Sequence, residues 1–148
     1  MDAEPGAAGG IVRHRTAISV VLAALGLVQL VDGLFALLAP SSFFGDFPLG
    51  RGWVEALPAY SEHLVRDVGS LFVATAVLLL AASWILERRL VIVACASYLA
   101  FAVPHTIYHY ANLGVYDSGD AIANFLALGA SVLLPLWVLF VVLGGGRS

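Results

Sequence analysis

Four long stretches of the chain consist almost entirely of apolar residues, and short polar segments separate them. They cover about residues 17–39, 64–86, 90–113 and 121–144. A helix needs roughly 20 mainly apolar residues to cross the hydrocarbon core of a bilayer. The pattern therefore predicts an all-α integral membrane protein, with residues 1–148 forming a single domain built as a four-helix transmembrane bundle.

The segments outside these spans predict the ends and connections of the bundle. Residues 1–12 are rich in Gly and Ala, which predicts a disordered N-terminal tail. The longest connection, about residues 40–61, contains many aromatic residues together with Gly and Pro. Because amphipathic rings favour the headgroup layer, we expect this first loop to lie on the membrane surface.

The arginines are divided unequally between the two sides of this bundle. The side of both termini has Arg13, Arg15, Arg88, Arg89 and Arg147, whereas the opposite side has Arg51 and Arg66. Positively charged residues favour the cytoplasmic side of a membrane. The distribution predicts cytoplasmic termini, an extracytoplasmic first loop and a multi-pass protein of the cell (inner) membrane.

Composition supports the bilayer as the principal partner and excludes several other classes. Only 11% of the residues are charged and the mean hydropathy is +0.95, whereas a soluble domain has about 25% charged residues. The chain has no long basic run, so we expect no nucleic-acid partner. Cys95 is the single cysteine, which excludes an internal disulfide and a thiolate zinc site. The sequence contains no nucleotide-binding or nucleophile motif, so no cofactor is predicted.

Each predicted span has its polar residues on one face and in its outer half. Successive helical residues rotate by about 100°, which groups the following residues: Gln29 and Asp32; Glu62, His63, Arg66 and Asp67; Tyr98, His105, Tyr108, His109 and Asn112; Asp120 and Asn124. An ionisable group that faces lipid costs several kcal/mol. We therefore expect the four faces to converge on one outward-opening polar pocket, above an apolar inner half.

Four residues of this set are candidates for catalysis. They are Asp32, Asp67, His105 and His109, because a carboxyl group in a low-dielectric site beside a histidine suits general acid–base chemistry. The expected partner of Asp32 is Arg66 or one of the histidines. Eight further residues are candidate ligand contacts: Glu62, His63, Arg66, Tyr98, Tyr108, Asn112, Asp120 and Asn124.

Other interpretations of the same residues stay open. The pairs Glu62–Arg66 and His63–Asp67 have i,i+4 spacing and could simply neutralise a helix end. The histidines of the third span could hydrogen-bond carboxylates across the bundle. They could instead bind a metal together with His63 and Asp67 or Asp32, or coordinate haem as a pair. The sequence contains no HExxH or ExxH motif, so no residue is assigned to a metal.

Several loose motifs suggest a family resemblance. The chain, through LVQLVDGLFALLAP, FFGDFP, YSEHLVRDVG and FAVPHTIYHY, resembles small uncharacterised bacterial four-helix membrane proteins that are DoxX-like in the broad sense. It is more faintly similar to the EXPERA group of sterol isomerases and sterol-binding receptors. That likeness implies a lipophilic ligand, with Asp32 as a first-helix acid and His63 and Asp67 as acid–base residues of the second helix.

The sequence thus favours a membrane protein that binds a lipid, isoprenoid, sterol-like compound or quinone. Isomerisation or cyclisation of that molecule by proton transfer is the enzymatic version of the hypothesis. The alternatives are an accessory or assembly subunit of a larger membrane complex and a metal-binding or haem-binding membrane protein. Homo-oligomerisation is left open.

Overall fold

The chain folds into five α-helices and one short 3-10 turn in a computed structural model that describes residues 5–57 and 59–144, with side chains from Ile11 onward. The helices are α1 (Pro5–Leu38), α2 (Pro40–Asp46), α3 (Glu62–Ile85), α4 (Arg88–Ala111) and α5 (Ser118–Gly144), and the 3-10 turn is Leu113–Val115. Four helices are long and apolar enough to cross a membrane: Ile11–Leu38 within α1, α3, α4 and α5. The prediction of a helical bundle with four helices that could span a membrane is therefore confirmed.

The first helix and the first loop differ from the predicted boundaries. The α1 helix begins at Pro5, so residues 5–12 are helical where a tail was expected; residues 1–4 lie outside the described part of the chain. His14 interrupts the helix with a non-helical backbone (φ −117°, ψ 20°). The loop contains the helix α2, which starts with Pro40, because proline needs no backbone N–H partner in a first helical turn.

The connection between α3 and α4 is tight and has a defined cap at each helix end. Leu86 ends α3 in the left-handed region with φ 52°. Glu87 then caps α4 by accepting a 2.8 Å hydrogen bond from the Leu90 N–H. Arg88 Nε donates to the Val142 carbonyl oxygen at 3.4 Å, which places the end of α5 beside this turn.

The two ends of the bundle differ in chemistry. The arginine end is defined here by Arg13, Arg15, Arg88 and Arg89, and the loop end by residues 39–61 and 112–117. Six large side chains are fully buried in the arginine half, namely Ile18, Leu22, Leu79, Val91, Val138 and Val142. The predicted apolar packing of that half is therefore confirmed.

Glycines bring α1 and α3 into their closest contact. A Cβ atom on Gly33 would lie 2.9 Å from the Gly69 carbonyl oxygen, and one on Gly69 would lie 2.8 Å from the Leu37 nitrogen. Further along, a Cβ atom on Gly26 would lie 2.8 Å from Leu80. Small residues allow helix backbones to approach closely in lipid, where dispersion contacts replace the hydrophobic effect. The structure thus packs α1 closely against α3 at both Gly26 and Gly33.

We expect Gly69→Ala to lower stability by about 1–3 kcal/mol, because the added methyl group would meet backbone atoms that cannot move independently. Thermal unfolding in detergent, followed by circular dichroism, measures the effect. The matched control is Gly45→Ala, since a Cβ atom there has no neighbour within 4 Å. Equal melting temperatures for the two variants would contradict the role of this contact.

The Glu87 cap predicts a pH-dependent contribution to stability. Hydrogen bonds from the Arg89 and Leu90 backbone N–H groups hold the pKa of the Glu87 carboxyl below its ordinary value of 4.5. The cap therefore stabilises the fold above that value and is lost as the pH falls through the lower, folded-state pKa. Glu87→Gln should reduce the melting temperature at neutral pH, and the difference should vanish in acid. Glu55→Gln, outside the helices, is the control and should show no such pH dependence.

Candidate functional site

A continuous row of aromatic rings runs along α4 toward the loop end. Phe72 of α3 contacts Phe101 with ring centroids 4.9 Å apart, and Phe101 stacks on His105 at 4.9 Å. His105 then contacts His109 at 4.4 Å. Residues four apart lie above one another on a helix, so the i,i+4 spacing of the three α4 rings produces the row. The structure thus brings the two predicted histidines together.

The ring row continues into the loops beyond α4. The Tyr116 hydroxyl lies 3.4 Å from His109 Nδ1 and donates to the Trp53 carbonyl oxygen at 3.0 Å. Burial raises the pKa of Tyr116, so its phenol stays protonated and available as a donor. His109 is only 9% exposed, because these loop residues cover its side of the bundle.

Residues 47–57 are held against the helices by two contacts. One is the hydrogen bond from Tyr116, and the other is an ion pair with α5. Arg51 pairs with Asp120 in the first turn of α5. The Asp120 backbone N–H in turn donates to Asp117 Oδ1 at 2.9 Å. Asp120, predicted as a ligand contact, therefore holds the loop, and Arg51 is a functional candidate that the sequence did not indicate.

Two buried polar atoms at the loop end lack a hydrogen-bond partner among the described residues: Trp53 Nε1, a donor, and Asn124 Oδ1, an acceptor. Asn124 is 1% exposed. It lies at the depth of His109, because the next residue on α5, Phe125, stacks on Tyr110 with centroids 4.6 Å apart. An unsatisfied buried polar group costs about 1–3 kcal/mol, so each of these atoms would be stabilised by a hydrogen-bond partner from a bound molecule.

Asp32 lies deeper in the bundle than these atoms. It is half-buried. Tyr98 is buried, as a ligand contact inside the helices would be. No ion pair to Asp32 exists among the described residues.

Arg66, one expected partner of Asp32, is engaged elsewhere. Its Nε donates to Glu62 Oε1 at 2.9 Å, and its Nη1 donates to the Leu37 carbonyl oxygen at the end of α1. The i,i+4 pair predicted from the sequence is thus formed. Arg66 joins α3 to the last turn of α1 and does not reach the acid.

Asp67 and His63 do not point toward the histidines of α4. They pair with each other at 3.2 Å, and their side chains are 57% and 89% exposed. Asp67 is about 160° around α3 from Gly69 by helical rotation, and Gly69 faces α1. The expectation that all four polar faces converge is therefore wrong for the His63–Asp67 pair of α3. The glycine contact determines which face of α3 packs, and the charged pair is left near the helix end.

Tyr108 and Asn112, the remaining predicted contacts, lie at the end of α4. Tyr108 is exposed, and its ring meets His109 edge-on. Asn112 Nδ2 donates to the Tyr108 carbonyl oxygen at 2.8 Å, which satisfies a terminal carbonyl of the helix. Asn112 thus has a structural role that its position in the sequence did not distinguish from ligand binding.

Neither a metal site among the described residues nor a similar protein identifies a ligand for this site. Within residues 5–57 and 59–144, no group of three or more His, Cys, Asp or Glu side chains is placed to hold one metal ion. The chain matches no family model, and no curated protein or solved structure is detectably similar to it.

Arg51→Gln should loosen residues 47–57, because it removes the ion pair with Asp120. A partly exposed pair contributes about 0.2–1 kcal/mol, so amide exchange in this segment should accelerate by up to about fivefold. Hydrogen–deuterium exchange measured by mass spectrometry checks this. The control, Glu55→Gln, removes a charge from the same segment and should leave exchange unchanged; equal exchange in both variants argues against the ion pair as the tie.

Proposed function

We propose that the protein binds a lipophilic molecule whose polar end lies at the loop end of the bundle, against Trp53, His109 and Asn124. The two orphaned buried atoms, Trp53 Nε1 and Asn124 Oδ1, are the observation that supports this. Most pockets for small molecules combine apolar walls with a few placed polar groups. The row of aromatic rings from Phe72 to His109 would supply apolar walls at the loop end, where both atoms lie.

The unpaired atoms favour a particular kind of polar end. Trp53 Nε1 requires an acceptor, and Asn124 Oδ1 requires a donor. A hydroxyl group can accept from Trp53 Nε1 or donate to Asn124 Oδ1, so an isoprenoid or sterol-like alcohol, or a reduced quinone, fits better than a hydrocarbon. The loops around Trp53 and Tyr116 would separate this end from water, and the apolar body would extend among the helices toward Phe101.

A reaction on the bound molecule and the location of the protein in the cell are further parts of this proposal. Isomerisation or cyclisation would use Asp32, His105 and His109, which lie on inward-facing or half-buried positions, whereas Asp67 would take no part. The arginine distribution favours the cell (inner) membrane, with the loop end outside. The DoxX-like and EXPERA resemblances stay predictions.

Ligand-induced stabilisation of the purified protein tests the binding proposal. A panel containing a prenol, a sterol, a quinol and a saturated hydrocarbon is added in detergent, and the melting temperature is recorded alongside native mass spectrometry. A ligand at 100 times its Kd stabilises the fold by about 2.7 kcal/mol. We expect a hydroxylated lipophile to raise the melting temperature and the hydrocarbon to have no effect.

Two variants connect that shift to the site. Asn124→Leu removes the acceptor at similar volume, and Trp53→Phe removes the donor while keeping a ring; both should reduce the ligand-induced shift. Asn112→Ala is the control, because its amide caps α4 and its loss should lower the melting temperature without reducing the shift. If no member of the panel changes the melting temperature and the mass spectrum shows no retained lipid, the proposal is wrong.

A further inference from the structure

A second cleft lies at the arginine end, between the start of the α1 span and the last turns of α3. Its volume is about 260 Å³, and its lining includes Arg15, Thr16, Ser19, Ser83 and Trp84. Pockets for drug-sized ligands measure roughly 300–1,000 Å³. The cleft therefore suits a small polar group better than a whole lipophilic molecule.

Hydrogen bonds between its walls keep this cleft in shape. Ser19 Oγ donates to the Ser83 carbonyl oxygen at 2.8 Å, and Ser83 Oγ donates to the Leu80 carbonyl oxygen at 2.8 Å. Both serine protons are thus used inside the protein. The guanidinium of Arg15 and the hydroxyl of Thr16 have no hydrogen bond or ion pair within the described ranges, so both offer unused donors to the cleft.

The cleft is surrounded by positively charged side chains and has an exposed tryptophan of the kind found at membrane–water interfaces. Arg13, Arg88 and Arg89 share this end with Arg15, and Glu87 is the one acid there among the described residues. Trp84, although it lines the cleft, is 87% exposed. An exposed tryptophan at the end of a membrane-spanning helix is typical of the headgroup layer. A guanidinium favours phosphate, to which it can donate two parallel hydrogen bonds.

We propose that this cleft binds the phosphate of an anionic phospholipid, with Arg15 and Thr16 as donors and Trp84 against the glycerol and upper acyl region. The site is separate from the one at the loop end and does not depend on the proposed function. A phospholipid phosphate fits the combination of unpaired donors with an exposed indole ring, whereas free phosphate would use the donors alone.

Fluorescence quenching of Trp84 tests the site. Trp53→Phe and Trp137→Phe leave Trp84 as the single tryptophan in the full chain, which is reconstituted in phosphatidylcholine vesicles. Brominated phosphatidylglycerol or brominated phosphatidylcholine is then added at equal mole fraction. Because one basic residue contributes about fivefold to binding of anionic lipid, we expect about fivefold preferential quenching by phosphatidylglycerol and its loss in Arg15→Gln.

Arg13→Gln is the matched control, since Arg13 is exposed at the same end but does not line the cleft. It should lower the preference less than Arg15→Gln does, because it changes only the surface charge and leaves the donors of the cleft in place, and circular dichroism should show all variants folded. Equal quenching by the two lipids in the parent protein, or equal loss in both arginine variants, overturns the proposal. Displacement of phosphatidylglycerol by millimolar inorganic phosphate would overturn the lipid as the source and assign the cleft to soluble phosphate.

Discussion

The close backbone contact between α1 and α3 is the constraint on which the arrangement of the bundle depends. Gly33 and Gly69 leave so little space between the helices that a single methyl group would reach backbone atoms of the opposite helix. Phe72, one turn after Gly69, then faces α4 and meets Phe101. The same contact turns Asp67 to the opposite side. In a bilayer, where water does not drive helices together, packing of small residues decides such orientations.

The cost of polar groups in lipid explains the remaining organisation. The charged pairs of α3 and the ion pair between Arg51 and Asp120 lie at the loop end, within reach of headgroups and water. The arginine half between the surface residues is packed with aliphatic side chains. Only a few polar residues lie inside the helices, among them Asp32 and Asn124. The free-energy cost of placing these polar groups in an apolar environment has to be offset by packing or by a bound molecule. They are therefore the residues that bear most on function.

The candidate site combines helices with loops that are distant in sequence. His105 and His109 share a face of α4 by their spacing, and Phe101 extends that face by another turn. Their environment is set by Tyr116 and Trp53, which come from two different connections. Under the proposed function, the lipophilic body would lie among the helices and the polar end would lie under the loops. The arginine end differs, because it has an open cleft whose lining includes Arg15 and Thr16.

Sequence pattern alone determined the four spans, the apolar half at the arginine end, the i,i+4 pairs of α3 and the neighbouring histidines of α4. These features depend on local periodicity and on the length needed to cross a bilayer. Helical rotation could group Asp67 with His63, yet it could not tell whether that face would pack. The tertiary structure decided this through the glycine contact. It also decided that Arg51 meets Asp120, that Tyr116 reaches His109, and that Asn124 Oδ1 has no partner among the described residues. Such contacts join segments whose separation along the chain carries no periodic signal.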